Sequence, residues 1–235
     1  MTEERPSGGY GTHLLVSGAV VLVMVAVSGY AWTQIPAGTA VCTHWNAAGV
    51  CDGWGSRFTG LFLMPIVVAA VVGLFAIIPR IDPRAAHIAA SRTAYTVVWL
   101  AMLGFFLAFH VTLMLDVLGR PVPIAMLLPV LTGALFVAIG SVMGRVRSNY
   151  FFGIRTPWTL ASEQSWVKTH RLGGWLFIAE GVLIAAGALL RPGTLWVTLL
   201  LGSVVVMLVV VTVYSYVVWR GDPERDVEPE TKGND

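Results

Sequence analysis

Six apolar runs alternate with polar connections along the chain: Leu14 to Trp32, Leu61 to Ile78, Ala94 to Leu115, Ile124 to Met143, Gly173 to Leu190 and Leu195 to Trp219. Crossing a hydrocarbon core takes about 20 helical residues at roughly 1.5 Å each. The pattern therefore predicts an all-α integral membrane protein with six transmembrane helices. The first run is longer than a signal-peptide core of about 7 to 15 residues, and no small-residue cleavage site clearly follows it, so it is expected to stay as an anchor. Gly18, Gly73, Gly104, Gly133, Gly140, Gly181, Gly187 and Gly202 recur inside the spans and are expected to serve helix packing, because no water drives association in lipid.

Composition agrees with the pattern. Of 235 residues, 56% are hydrophobic and 12% charged, with a mean hydropathy of +0.75, far from the balance of a soluble domain. A formal charge of +2 is too small to point to direct nucleic-acid binding. Its distribution is more informative, since Lys and Arg are held on the cytoplasmic side. Arg5, Arg80, Arg84, Arg92, Arg145, Arg147, Arg155, Lys168, Arg171, Arg220, Arg225 and Lys232 fall on one side, and Arg57, Arg120 and Arg191 on the other. Both termini are expected in the cytosol. Residues 1–11 and 220–235 are too polar to bury a core and are expected to be disordered cytosolic ends. Tyr214, Tyr216 and Trp219 ahead of Arg220 form an interfacial stop.

The extracytoplasmic connection over residues 33–60 reads as a small hairpin. Val41 to Trp45 and Val50 to Trp54 are strand-like, with turn residues over Asn46 to Gly49. A tight turn would set His44 across from Cys51, with Cys42 a diagonal neighbour of Cys51 on the same face. The favoured chemistry is a Cys42–Cys51 disulfide, since oxidised bonds persist outside the cytosol. The alternative is a soft N/S metal site from Cys42, His44, Cys51 and Asp52, although no established ligand spacing is matched. Trp45 and Trp54 would anchor the hairpin at the interface.

The cytosolic connection over residues 144–172 is the most polar segment between spans. Thr156 ahead of Pro157 reads as a helix N-cap with proline at the first helical position, and Thr159 is a second candidate cap. An amphipathic connector helix is expected over Leu160 to Leu172. On it Glu163, Trp166 and His170 fall on one stripe beside Val167, and Ser162, Ser165 and Thr169 fall opposite. That stripe reads either as a docking surface, with Arg155, Glu163 and His170 as polar handles and Trp158 and Trp166 as anchors, or as an interfacial brace with Arg155, Lys168 and Arg171 at lipid phosphate. Inside the spans, Glu180 lies about 12 Å from the inner end of span five and His110 toward the outer end of span three. Their depths make a direct pair improbable. Each is a candidate for a proton or ion path, against the plainer reading of a neutral Glu180 hydrogen-bonded within the bundle.

Asn149, Gly153, Ile154, Arg155, Thr156, Pro157, Trp158, Thr159 and Leu160, followed by Trp166, Thr169, His170 and Arg171, resemble the SdpI family of bacterial membrane immunity proteins. Pro36, His44, Trp45, Asn46, Gly49, Asp52, Gly53, Trp54, Gly55, Ser56 and Arg57 resemble the domain of unknown function that often precedes the SdpI region. The resemblance implies an N-terminal domain over residues 12–92 and an SdpI-like region over 93–219. It also implies a multi-pass protein of the bacterial plasma membrane whose family's type member protects its producer from a secreted peptide toxin and signals by holding a transcriptional repressor at the membrane. The outer loop would then contact the peptide and the cytosolic motif the repressor, with no cofactor. The expectation is a non-enzymatic immunity or signalling protein. Its rival is a small transporter using Glu180 and His110. A metalloenzyme has least support, as no His-Glu-x-x-His spacing occurs.

Overall fold

A computed structural model of the protein describes residues 10–46, 48–120, 122–190 and 194–224. Arg5, Arg191, Arg225 and Lys232 lie outside the described residues. Of the ends expected to be disordered, 1–11 and 220–235, so do 1–9 and 225–235, whereas Gly11 and Arg220 are helical and Asp222 is buried. The elements are α1 (Gly11–Gln34), β1 (Val41–Trp45), β2 (Cys51–Gly55), α2 (Arg57–Ile81), α3 (Ala85–Ala90), α4 (Arg92–Val117), α5 (Ile124–Met143), α6 (Pro157–Ala161), α7 (Glu163–Leu190) and α8 (Thr194–Arg220). Six of these helices, α1, α2, α4, α5, α7 and α8, are long and apolar enough to cross a membrane. This is a multi-pass membrane protein. For convenience, the end carrying β1 and β2 is the hairpin end, and the end carrying α6 the motif end.

Helix α1 buries Ser17, Met24, Ser28 and Ala31, a single stripe at helical spacing, and that stripe meets α4. Trp99 Nε1 donates to Ser17 Oγ at 3.0 Å. Helix α2 crosses with two internal prolines whose consequences are specific. A proline has no N–H for the carbonyl four residues earlier, and in lipid that carbonyl needs another donor. Pro65 frees the Leu61 carbonyl, which accepts from Ser28 Oγ on α1 at 2.6 Å. Pro79 frees the Phe75 carbonyl, which accepts from the Tyr95 hydroxyl on α4 at 2.7 Å. Each proline thus keys α2 to a different neighbour. Around the second key, Tyr95, Trp99, Phe75, Val142, Val146 and Trp166 join one buried cluster.

Helices α5 and α7 pack antiparallel and very closely. A Cβ on Gly133 would fall 2.4 Å from the Gly181 carbonyl oxygen, and one on Gly140 would fall 2.6 Å from that of Gly174. Only glycine permits such an approach. The expected packing role does not hold for Gly18, Gly73, Gly104 and Gly202, where a Cβ would meet nothing within 4 Å. The reason is that these four face away from neighbouring helices.

The motif end corrects one further expectation. The connector helix predicted over Leu160 to Leu172 does not exist as a unit. The backbone is extended at Ser162 (φ −142°, ψ 122°), which separates the five-residue α6 from α7, and residues from Glu163 onward continue into the fifth span.

Candidate functional site

The loop between α5 and α6 is held by its own side chains. Asn149 is fully buried. Its Nδ2 donates to the carbonyls of Arg147 and Phe152, both at 2.9 Å, and its Oδ1 accepts from the N–H groups of Phe151 and Phe152 at 3.0 and 2.6 Å. Two donors and two lone pairs are all a primary amide has, so Asn149 has nothing left for a partner. The chain then passes through Gly153 at φ +111°, a conformation that L side chains rarely adopt. The next N–H, of Ile154, donates to His170 Nε2 at 2.9 Å, while His170 Nδ1 lies 2.9 Å from the Trp166 carbonyl. These contacts define a neutral imidazole with its proton on Nδ1. Its ring stacks on Trp166 at a centroid distance of 4.0 Å, and Trp166 Nε1 donates to the Val146 carbonyl at 2.7 Å.

Thr156 caps α6 as expected, accepting from the Thr159 N–H at 3.2 Å. Thr159 is not a second cap. It is the reciprocal member of a capping box, its hydroxyl accepting from the Thr156 N–H at 2.9 Å. Pro157 occupies the first turn, where its missing N–H costs nothing.

Two other parts of the chain clasp this loop. From the connection after α2, buried Asp82 accepts from the Tyr150 N–H at 3.0 Å, His87 Nδ1 lies 2.7 Å from the Ser148 carbonyl, and Arg84 donates to Ser148 Oγ. Ser91 Oγ accepts from the Arg147 N–H at 2.8 Å. From α8, Ser215 Oγ accepts from Thr156 Oγ1 at 3.0 Å, and the Ser215 carbonyl accepts from Ser165 Oγ at 2.8 Å. Beyond α8, Asp222 accepts from Ser162 Oγ. None of Asp82, Ser91, Ser215 and Asp222 was singled out from the sequence. The one available signal was a polar group beside a span end, which is common.

The docking stripe is corrected by this geometry. Trp166, Thr169 and His170 are each 0% exposed, because the helix that carries them is the buried start of α7 rather than a surface connector. Exposure remains at Tyr150, Phe151, Arg155, Pro157, Glu163 and Arg171, with Trp158 half-buried against Tyr216 at 5.1 Å. Arg155 Nη1 donates to the Tyr150 carbonyl at 2.7 Å. Glu163 lies 3.9 Å from Arg147, an exposed pair worth little.

At the hairpin end, β1 and β2 pair antiparallel, but not in the expected register. Trp45 faces Cys51, His44 faces Gly53 and Cys42 faces Trp54, with irregularities on both sides of His44. The shift starts at the turn, where the Asn46 N–H donates to the Val50 carbonyl at 2.9 Å and Trp45, not His44, meets Cys51. The irregularities beside His44, one in each strand, then offset one another, so that Cys42 and Trp54 pair in the same register as Trp45 and Cys51. Cys42 and Cys51 are joined in a disulfide with Cα atoms 6.0 Å apart, so the metal alternative loses its thiolates. His44 Nδ1 instead lies 2.5 Å from Asp52 Oδ1, on the exposed surface. Asn46 Oδ1 accepts from the N–H groups of Ala48 and Val50 at 2.9 and 3.1 Å, and Gly49 turns at φ +75° directly over Ala125, at the start of α5. Pro36 and Trp54 are exposed, and Trp45 is half-buried. Arg57 stacks on Trp32, its guanidinium carbon 3.9 Å from the ring centroid.

The two intramembrane candidates lie in different halves. His110 Nε2 lies 3.1 Å from the Met24 carbonyl and 3.2 Å from Ser28 Oγ, both on α1. Glu180, 4% exposed, accepts from Ser203 of α8 at 2.7 Å. The two residues are not brought together.

Residues 145–215 match the model of the SdpI/YfhL protein family, and residues 19–69 match a domain of unknown function, DUF1648. Over 115 residues the chain is 27% identical to the Immunity protein SdpI of Bacillus subtilis (strain 168), a stretch that covers 49% of this chain and 55% of that protein. The chain thus spans about half the length of this curated relative. No solved structure matches it.

Proposed function

We propose that this SdpI-like membrane protein is a non-enzymatic immunity receptor, meeting a secreted antimicrobial peptide at the hairpin end and a cytosolic partner, such as a transcriptional repressor, at the motif end. The observation that carries the reading is that helix α5 touches both ends. It begins beneath Gly49 of the hairpin, packs on α7 through paired glycines, and runs out into the loop that Asn149 and His170 fix. Peptide contact that displaced the hairpin tip would bear on α5 and so on the motif loop. Such coupling requires a ligand with different affinities for two states. The charge bias supports a cytosolic motif end. The buried motif residues act as the frame, and the rim of Tyr150, Phe151, Arg155, Trp158 and Glu163 is the surface offered to a partner.

Expression in a bacterium sensitive to a secreted antimicrobial peptide tests this directly. Survival should rise with the native chain and fall with Asp52→Ala or Trp54→Ala in the hairpin. Arg155→Ala with Trp158→Ala should release a co-purifying repressor while leaving the protein in the membrane. Survival indifferent to expression of the chain would sink the reading. Its rival, a proton-coupled transporter, draws support from the buried Glu180. Flux into proteoliposomes that Glu180→Gln abolishes would favour it.

A further inference from the structure

We propose that the hairpin end carries a binding site for the phosphate of a phospholipid headgroup, with Arg57 as its cation and Trp32 and Phe58 as its apolar walls. Trp32, Gly38, Thr39, Ala40, Ser56 and Arg57 help to enclose a pocket of about 420 Å³ between the outer ends of α1 and α2. Its one charged lining residue is Arg57. The Arg57 Nε is shielded from solvent and has no hydrogen-bond partner among the described residues. No carboxylate pairs with Arg57 among the described residues, and its guanidinium lies over the Trp32 ring. A buried donor without an acceptor is costly, and a guanidinium fork is matched by a phosphate or carboxylate.

The other polar side chains of the pocket are already engaged. Thr39 Oγ1 donates to the Pro36 carbonyl at 2.8 Å, and Ser56 Oγ accepts from the Thr59 N–H at 3.1 Å as the cap of α2. Beside Arg57, the first N–H groups of α2 have no intrahelical acceptor and add positive potential to the same place. An oxyanion would therefore meet one cation and one helix start.

Depth selects a lipid as the source of that anion. Helix α1 has 24 residues, about 36 Å, which exceeds a hydrocarbon core of about 30 Å. Trp32 lies two residues before its end, and Arg57 is the first residue of the returning helix α2. Both are thus at headgroup level, where phosphodiesters are the abundant anion. Exposed Trp32 and Phe58, bridged by Phe62 at 5.9 Å from Trp32 and 5.4 Å from Phe58, form an aromatic wall against which the glycerol and first acyl carbons would lie.

Native mass spectrometry of the full chain in detergent, titrated with phosphatidylglycerol, diacylglycerol or inorganic phosphate, tests the site. One phosphatidylglycerol should be retained by the native protein, and diacylglycerol, which has the tails but no phosphate, should not. Arg57→Gln should weaken retention about tenfold, the loss expected for a charge-assisted hydrogen bond. Arg57→Lys should fall between the two, which also guards against misfolding of the Gln variant. Equal retention by native protein and Arg57→Gln, or equal binding of diacylglycerol, would overturn the proposal. Inorganic phosphate that bound and displaced the lipid would overturn the assignment to a lipid.

Discussion

Ser28 supplies the hydrogen bond that Pro65 withholds. Its hydroxyl donates to the Leu61 carbonyl at 2.6 Å, the group a residue with an N–H at position 65 would have bonded within α2. Ser28→Ala should leave that carbonyl without a donor in the membrane interior and cost about 1–3 kcal/mol. The sharper expectation concerns the pair. In a Pro65→Ala background the helix regains its own N–H, so Ser28→Ala should cost measurably less. A double-mutant cycle on thermal unfolding in detergent reads this coupling, and additive losses would refute it.

His170 and Gly153 make the motif loop a fitted joint. A Cβ on Gly153 would fall 2.4 Å from His170 Nε2, in a backbone conformation that already excludes most residues. Gly153→Ala should lower stability by roughly 1–3 kcal/mol. His170→Phe should cost a similar roughly 1–3 kcal/mol by stranding the Ile154 N–H. Both losses should appear as a lower melting temperature together with faster proteolysis of the 146–156 loop. Unchanged cleavage would show that the joint does not hold the loop.

Glycines in this protein divide into two classes with opposite expected outcomes. Gly133→Ala forces a carbon to 2.4 Å from the Gly181 carbonyl oxygen and should separate α5 from α7, with a loss of about 1–3 kcal/mol as for other overpacked sites. Gly202→Ala meets nothing within 4 Å and should stabilise α8 by about 0.5–1 kcal/mol. Melting curves of the two variants should therefore move in opposite directions.

The hairpin should depend on its disulfide. Cys42 and Cys51 are nine residues apart, and closing so short a loop contributes on the order of 2–3 kcal/mol in the chain-entropy account. Replacing both cysteines by serine should make the 36–56 segment sensitive to protease added from the hairpin side, while the six helices persist by circular dichroism. Labelling of the native protein by a thiol reagent without prior reduction would contradict the bond.

The six spans could be read from the sequence because hydropathy over twenty residues is a strong signal, and their positions hold with extensions of a turn or less at most ends. The Thr156 cap and the Cys42–Cys51 bond were legible for the same local reason. The hairpin register was not, since a turn that takes in Val50 moves every pair by one residue, and turn residues alone do not say how long the loop is. The burial of Trp166 and His170 was not legible either. A helical wheel shows which residues share a face but not where the span begins, and α7 starts ten residues earlier than hydropathy alone suggested. The prolines of α2 were visible as residues. Their partners, Ser28 and Tyr95, are 37 and 16 positions away and become partners only once the helices pack.

The clasp on the motif loop joins segments from across the chain: Asp82 to Ser91 after α2, the loop itself, and Ser215 to Asp222 at the end of α8. Its evolutionary consequence is that the DUF1648-like and SdpI-like portions cannot drift as independent cassettes. A recombination point at residue 70, just past the matched N-terminal region, would import a foreign 82–91 connection under a native loop and break its register. A point after residue 92 would carry the whole clasp partner with the N-terminal half, yet still demand a loop cut to fit it. Exchange between relatives should therefore succeed only where both connections travel together.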